Sequence, residues 1–227
     1  MEIAEKRRQH IPLDYILGFS NFYGLNVKVD KNVLIPKMET ELLVESVLKH
    51  IDAIKSVKCA KVLDLCTGSG CIAAAIASNC NEVDLILSDT DGLALNVARQ
   101  NMTNLIGDKC NWSIVESDMF DNLKGLSFDI IVSNPPYVSD SELNELSVEV
   151  KAQPLIALSG GIDGLKFYRN IAENAKYFLQ KNGSIFLEIG YTQGQAVSQI
   201  LEEQGFCNCV IKKDFSNLDR VVSATVR

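Results

Sequence analysis

An α/β fold around one open, seven-stranded, mostly parallel sheet is what this sequence predicts, on three observations. From residue 61 onward, short β-branched runs alternate with helix-period stretches, the pattern of strands joined by crossover helices. The middle runs are apolar almost throughout, as strands are when helices cover both faces of a parallel sheet. The last two runs have no helix between them and therefore pair antiparallel, as a C-terminal hairpin at one edge.

Five strands are predicted first: KVLDLC (61–66), VDLILSD (83–89), WSIVES (112–117), FDIIVSN (128–134) and GSIFLEIG (183–190). FCNCVIKK (206–213) and RVVSATV (220–226) form the terminal pair. Between the strands, LALNVARQNMTNL places Leu93, Val97, Ala98, Met102 and Leu105 on one helical face, and LKFYRNIAENAKYFL does the same with Leu165, Tyr168, Ile171, Ala175 and Phe178. Upstream, NVKVDKNVLIP (26–36) reads as a small β-hairpin around an Asp-Lys-Asn turn. TELLVESVLKHI (40–51) is then an amphipathic helix with Thr40 as its cap. The first dozen residues look like the end of a helix. Residues 1–36 are therefore read as the remnant of an N-terminal domain with a linking β-hairpin, and 37–227 as one catalytic domain.

Composition narrows the classes of function. The chain has 227 residues, 47% apolar and 22% charged, enough for one domain with its own core. A formal net charge of -7 argues against a surface built to hold a long stretch of phosphate backbone. The polar N-terminus has no signal-peptide core, and CIAAAIA is far below the ~18 residues of a membrane span. Seven cysteines without a CxxC motif point to reduced thiols in a cytoplasmic protein and to no metal site, Cys207 and Cys209 being isolated from other ligands. His10 and His50 read as surface residues.

The first chemical signal is VLDLCTGSGCIAAAIA. Asp64 falls in a strand, Gly68 and Gly70 in the turn after it, and a small-residue helix follows. Such a turn brings backbone N–H groups and a helix N-terminus to a ligand. Nineteen residues after Gly70, Asp89 ends the second strand, where a carboxylate accepts both hydroxyls of a ribose. The spacing also fits a nicotinamide dinucleotide. Two features favour S-adenosylmethionine: Asp64 would repel a pyrophosphate but attract an ammonium, and the one glycine loop is followed by a catalytic-looking loop at the fourth strand.

That loop is Asn134-Pro135-Pro136-Tyr137, closing the apolar run FDIIVSN. Ligands of open parallel sheets lie beyond the carboxyl ends of the strands, where Asn134 falls. The site suits a planar nitrogen, an amide or an exocyclic amine, whose delocalised lone pair makes it a poor nucleophile. The Asn134 side-chain oxygen and the proline-fixed carbonyl of Pro135 would accept its two N–H groups, and Tyr137 would cover its flat face. A sulfonium leaves as a neutral thioether, so the absence of a catalytic histidine is no objection.

Taken together, VLDLCTGSGCIA, SDTDGLALNVARQN and FDIIVSNPPYV resemble the S-adenosylmethionine-dependent amino-methyltransferases, with their Rossmann-like seven-stranded sheet. PLDYILG, VLIPKMETELLVE, ALSGGIDGLKFYRNI, LEIGYTQG and KDFSNLDRVV narrow the resemblance to the HemK-like glutamine methyltransferases of peptide chain release factors. The resemblance spans nearly the whole chain. It implies a protein substrate, the glutamine amide of the release factors' Gly-Gly-Gln loop; no direct nucleic-acid or membrane contact is expected, and the sequence does not fix the oligomeric state, a monomer being the default expectation. It places the cofactor on Cys66, Thr67, Gly68, Ser69, Gly70, Asp89, Met119 and Asn134, and the substrate amide on Asn134, Pro135, Pro136 and Tyr137. The chain departs from the family's pattern at Lys37-Met38, where Arg-Pro is usual, at Gln153, where Glu is usual, and in lacking most of the helical domain usual in front. Three other readings share parts of the pattern: a glutamine methyltransferase of a ribosomal protein, a nucleic-acid adenine methyltransferase, and a cofactor-binding module with weak or no catalysis.

Overall fold

In the computed structural model, which describes residues 2–54 and 59–227, the chain opens with two short helices, α1 (Glu2–Arg8) and α2 (Leu13–Leu17). A hairpin follows, β1 (Phe19–Phe22) and β2 (Leu25–Lys28), and then α3 (Glu41–Ile54). The main sheet is built from β3 (Ala60–Leu65), β4 (Val83–Asp89), β5 (Asn111–Glu116), β6 (Phe128–Ser133), β7 (Leu179–Glu188), β8 (Cys207–Lys213) and β9 (Asp219–Thr225). Between its strands run α4 (Cys71–Asn79), α5 (Gly92–Asn101), the short α6 (Asp140–Leu143) and α7 (Val148–Lys151), α8 (Lys166–Asn174) and α9 (Gly194–Glu203).

The sheet order is β5-β4-β3-β6-β7-β9-β8. β3 to β7 are parallel, and β9 runs antiparallel to both β7 and β8. The mostly parallel sheet and terminal hairpin match expectation. The winding reverses between β3 and β6, so their carboxyl ends part and open a crevice. One apolar layer under α3 and α4 includes Val44, Val47, Ile72, Ile76 and Leu85, and the opposite layer under α8 and α9 includes Leu63, Ile131, Tyr168, Ile171 and Leu201.

Several local expectations need correction. The front hairpin turns at Tyr23-Gly24, not at Asp30-Lys31-Asn32. Both turn residues have positive φ, 51° and 76°, as two-residue hairpins require. Residues 29–37 run on as an unpaired strap whose Val29 and Val33 pack on Ala94 and Val97 of α5. Packing, not strand pairing, takes up the apolar residues that looked like a second strand. Thr40 directly precedes α3, but it is buried, and its hydroxyl accepts from Asn134 Nδ2 at 3.4 Å. Leu93 is exposed, because Asp91 caps α5 and the helix turns Ala94, Leu95, Val97, Ala98 and Asn101 inward instead. His50 is half-buried, its ring tilted against Phe186 at 5.2 Å, and burial lowers its pKa. All seven cysteines are unpaired. Among the described residues no helix is long and apolar enough to cross a membrane, and no cluster of ligands could hold a metal ion.

Candidate active site

The crevice at the β3/β6 divide holds about 930 Å³ of empty space, its open mouth included. The loop after β3 lines one wall with Cys66, Thr67, Gly68 and Ser69, the β4 tip with Asp89, and the β5 loop with Asp118 and Met119. Asn134 and Pro136 line the other wall, with Ile156, Ala157 and Phe167 beyond them. The strap supplies Val33, Leu34, Pro36 and Lys37 as a third side.

The backbone of the first wall is tightly specified. Asp89 Oδ2 accepts from the Gly68 N–H at 2.8 Å and Oδ1 from the Asp91 N–H at 3.1 Å, so this carboxylate ties the glycine loop to the next strand. Cys66 and Met119, both on the crevice, have left-handed φ values of 60° and 47°. Side-chain residues rarely adopt that conformation, and where they do the surroundings impose it, often at functional sites. At Met119 the imposing contact is the Ser117 hydroxyl, which donates to the Met119 carbonyl at 3.0 Å. Gly70, at φ 76°, holds a left-handed turn that strains any side-chain residue, and a Cβ there would be tight, 3.2 Å from that of Ala98.

Asp64 and Gly70 lie beneath this wall instead of facing the crevice. Asp64 is fully buried; its Oδ2 accepts from Thr67 Oγ1 at 2.6 Å and from the Ala73 N–H at 3.2 Å. Its Oδ1 has no hydrogen-bond partner among the described residues, and burial pushes its pKa up to about 7. Contact between Asp64 and a ligand would pass by way of Thr67, which does line the crevice.

On the second wall, Asn134 opens onto the crevice while Pro135 and Tyr137 sit behind it. Among the described residues no donor reaches the Pro135 carbonyl. The Tyr137 hydroxyl is turned inward toward Glu188, and burial raises its pKa. The loop is held from outside by residues 158–161. Val138 N–H donates to the Leu158 carbonyl at 2.9 Å, Gly160 N–H to Val138 at 2.8 Å and Asp140 N–H to Gly161 at 3.0 Å. Gly160 is required by that closeness, since a Cβ there would sit 2.8 Å from the Tyr137 Cα.

Sequence reasoning missed the tasks of three contributors, although it singles out Gln153 as a departure from the family's pattern. Asn101 of α5, buried, donates from Nδ2 to the carbonyls of Ser69 (2.8 Å) and Lys28 (3.0 Å) and accepts from the Lys28 N–H (2.7 Å). It thereby joins β2 to the glycine loop. Gln153, also buried, accepts from the Ile35 N–H at 2.9 Å and fastens the strap; the amide oxygen does there what a carboxylate would do without burying a charge. Glu188 lies buried at the end of β7, behind Asn134. Only the wording ARQN, AQP and LEIG within longer motifs marked these positions, and no short-range pattern assigned them a task.

A crevice with loop amides and an acidic strand tip on one side and an amide acceptor on the other suits an adenosyl donor carrying a reactive group towards Asn134. Comparison with known proteins agrees. Residues 38–155 match the methyltransferase small domain. A release factor glutamine methyltransferase of Thermodesulfovibrio yellowstonii is 42% identical over 97% of this chain and 78% of its own length. One from Clostridium acetobutylicum is 41% identical over 96% of this chain and 76% of its own length. Among solved structures, a methyltransferase from Pyrococcus furiosus superposes with a TM-score of 0.64 at 15% identity, over 97% of this chain and 98% of that one, which speaks to the fold alone. The chain belongs to the release factor glutamine methyltransferase family, a branch of the S-adenosylmethionine-dependent methyltransferases.

Proposed function

We propose that this enzyme methylates the side-chain amide nitrogen of the glutamine in the Gly-Gly-Gln motif of peptide chain release factors. The observation that carries the proposal is that Asn134, at the carboxyl end of β6, opens on the same crevice as the glycine loop and Asp89. S-adenosylmethionine, when bound, supplies a methyl group on a sulfonium that leaves as a neutral thioether.

The loop residues Cys66 to Ser69 and Asp89 are assigned to hold the adenosyl and amino-acid parts of the donor, with Gly70 shaping the turn beneath them and Met119 against the adenine. Asp89 keeps acceptor capacity for ribose hydroxyls after its two backbone bonds, since each carboxylate oxygen has two lone pairs. Asn134 is assigned to accept one N–H of the substrate amide through Oδ1, and the Pro135 carbonyl, set back from the crevice lining but free of other donors among the described residues, to accept the other once the amide is seated. Two acceptors aim the nitrogen and stabilise the positive charge that grows on it as the N–C bond forms. Pro136 and Phe167 exclude water from the flat face. Tyr137, in place of stacking on the amide, braces the loop from behind. Residues 37–227 are assigned as the methyltransferase domain and 1–36 as its front segment.

The test is mass spectrometry of an intact release factor incubated with this enzyme and S-adenosylmethionine. A gain of one methyl on the Gly-Gly-Gln glutamine is the expected result. Tight donor binding without transfer to a release factor would instead favour the cofactor-binding module.

A further inference from the structure

Glu188 is the last residue of β7, only 2% exposed, and the chemistry above gives it no task. Its carboxylate meets the Thr40 hydroxyl, the Asn134 amide and the Tyr137 hydroxyl, which reach it from three separate segments. Arg220 and Glu39 are the charged groups that act on it, and the Cys71 thiol of α4 and the Tyr168 phenol of α8 also feel its charge. The Tyr168 hydroxyl donates to the Glu188 backbone carbonyl at 2.8 Å and so holds the strand end in place. Even so, Glu188 Oε2 has no hydrogen-bond partner among the described residues.

An ionised carboxylate only accepts hydrogen bonds. Placed behind Asn134, it dictates the direction of every dipole that faces it. The Thr40 and Tyr137 hydroxyls and the Asn134 NH₂ must all turn inward. Asn134 Nδ2 already donates to Thr40 Oγ1 at 3.4 Å, the same sense. A flipped amide would aim its oxygen at the carboxylate and its NH₂ at the crevice. That orientation would present two donors to a substrate that also brings donors.

We infer that Glu188 is the positioning residue that fixes the flip of the Asn134 carboxamide, so that Oδ1 and not Nδ2 faces the substrate nitrogen. The inference rests on the function proposed above and deepens it. Burial holds the carboxyl up at about 7, so turnover rises with pH across neutrality as Glu188 ionises.

The experiment compares wild type, Glu188→Gln, Asn134→Ala and the double variant on a release factor, with donor affinity measured by calorimetry. Glu188→Gln keeps the shape but adds a donor, so kcat is expected to fall roughly 10- to 100-fold, with donor affinity and KM for the release factor nearly unchanged. The rise of kcat across neutrality should vanish with it. In the Asn134→Ala background the same change should cost nothing further, because residues acting as a unit are not additive. Wild-type turnover in Glu188→Gln, or an equal loss in both backgrounds, would overturn the inference. If Glu188→Gln does not fold, Thr40→Val asks the same of the network from its other end, and unaltered kcat there would overturn it too. If wild type fails to methylate a release factor, the proposed function falls, and the flip is read instead by NMR. The Asn134 NH₂ protons, assigned by their absence in Asn134→Ala, should exchange slowly with water in wild type and quickly in Glu188→Gln; equal exchange would overturn the inference.

Discussion

The two walls of the crevice are held by different means. The donor wall is fastened by main chain: Asp89 receives two backbone N–H groups, and Cys66 and Met119 are locked in left-handed conformations. On the acceptor wall the main chain is tied as well, to residues 158–161, but the functional side chain depends on side chains from afar. Asn134 donates at 3.4 Å to Thr40, 94 residues earlier, and stands before the Glu188 carboxylate, one oxygen of which is unpartnered among the described residues. A backbone cradle is set before any ligand arrives, whereas a side chain held by long-range side-chain contacts is tuned by whatever surrounds it.

The comparison breaks down most visibly at Asn134. Asn134→Ala should lower kcat by about 10²–10³ while donor affinity, read by calorimetry, stays within a few-fold. A comparable loss of affinity would mean that the walls do not divide the work. Next in size, Asp89→Ala removes the loop's anchor together with the proposed ribose acceptor. Donor affinity should fall about 10- to 100-fold, on the order of 1.4–2.8 kcal/mol, with little change in turnover at saturating donor. Asn101→Ala tests the fastening behind the donor wall. It strips partners from three backbone groups, the buried Ser69 carbonyl and the part-buried N–H and carbonyl of Lys28, so Tm should drop by several degrees, at about 2–4 °C per kcal/mol for a chain of this size.

A further effect, on stability alone, concerns pH. Burial raises the Asp64 pKa from an ordinary 3.8 to about 7 in the folded chain. Between those values the folded state holds a proton that the unfolded state has released. Stability therefore falls as pH rises from about 4 to 7. Asp64→Asn should flatten that part of the Tm-against-pH curve; an unchanged slope would assign it to other groups.

This contrast also explains what the sequence could and could not convey. Gly68, Gly70 and Asp89 were legible because a strand, a tight turn and a second strand tip impose fixed spacings along the chain. The parallel order of β3 to β7 was legible for the same kind of reason, in apolar runs separated by helical periods. Asn134-Pro135-Pro136-Tyr137 announced itself by interrupting such a run. The inward turn of the Tyr137 hydroxyl did not, because it is decided by Glu188, 51 residues later. Thr40 has the look of a cap in any local window, and only the packing of the strap beside β6 reveals its other partner. The hairpin was displaced by several residues because VLIP is as apolar as a strand, yet Val29 and Val33 find their cover on α5.

Asn101 links Lys28, in the front hairpin, to Ser69, in the turn that would cradle the donor, through one carboxamide. A shortened enzyme starting at residue 37 would keep every catalytic side chain and still lose one end of that brace, as well as Phe22 and Val27 from the apolar layer beneath it. The front of the molecule thus works as a keystone for the cradle.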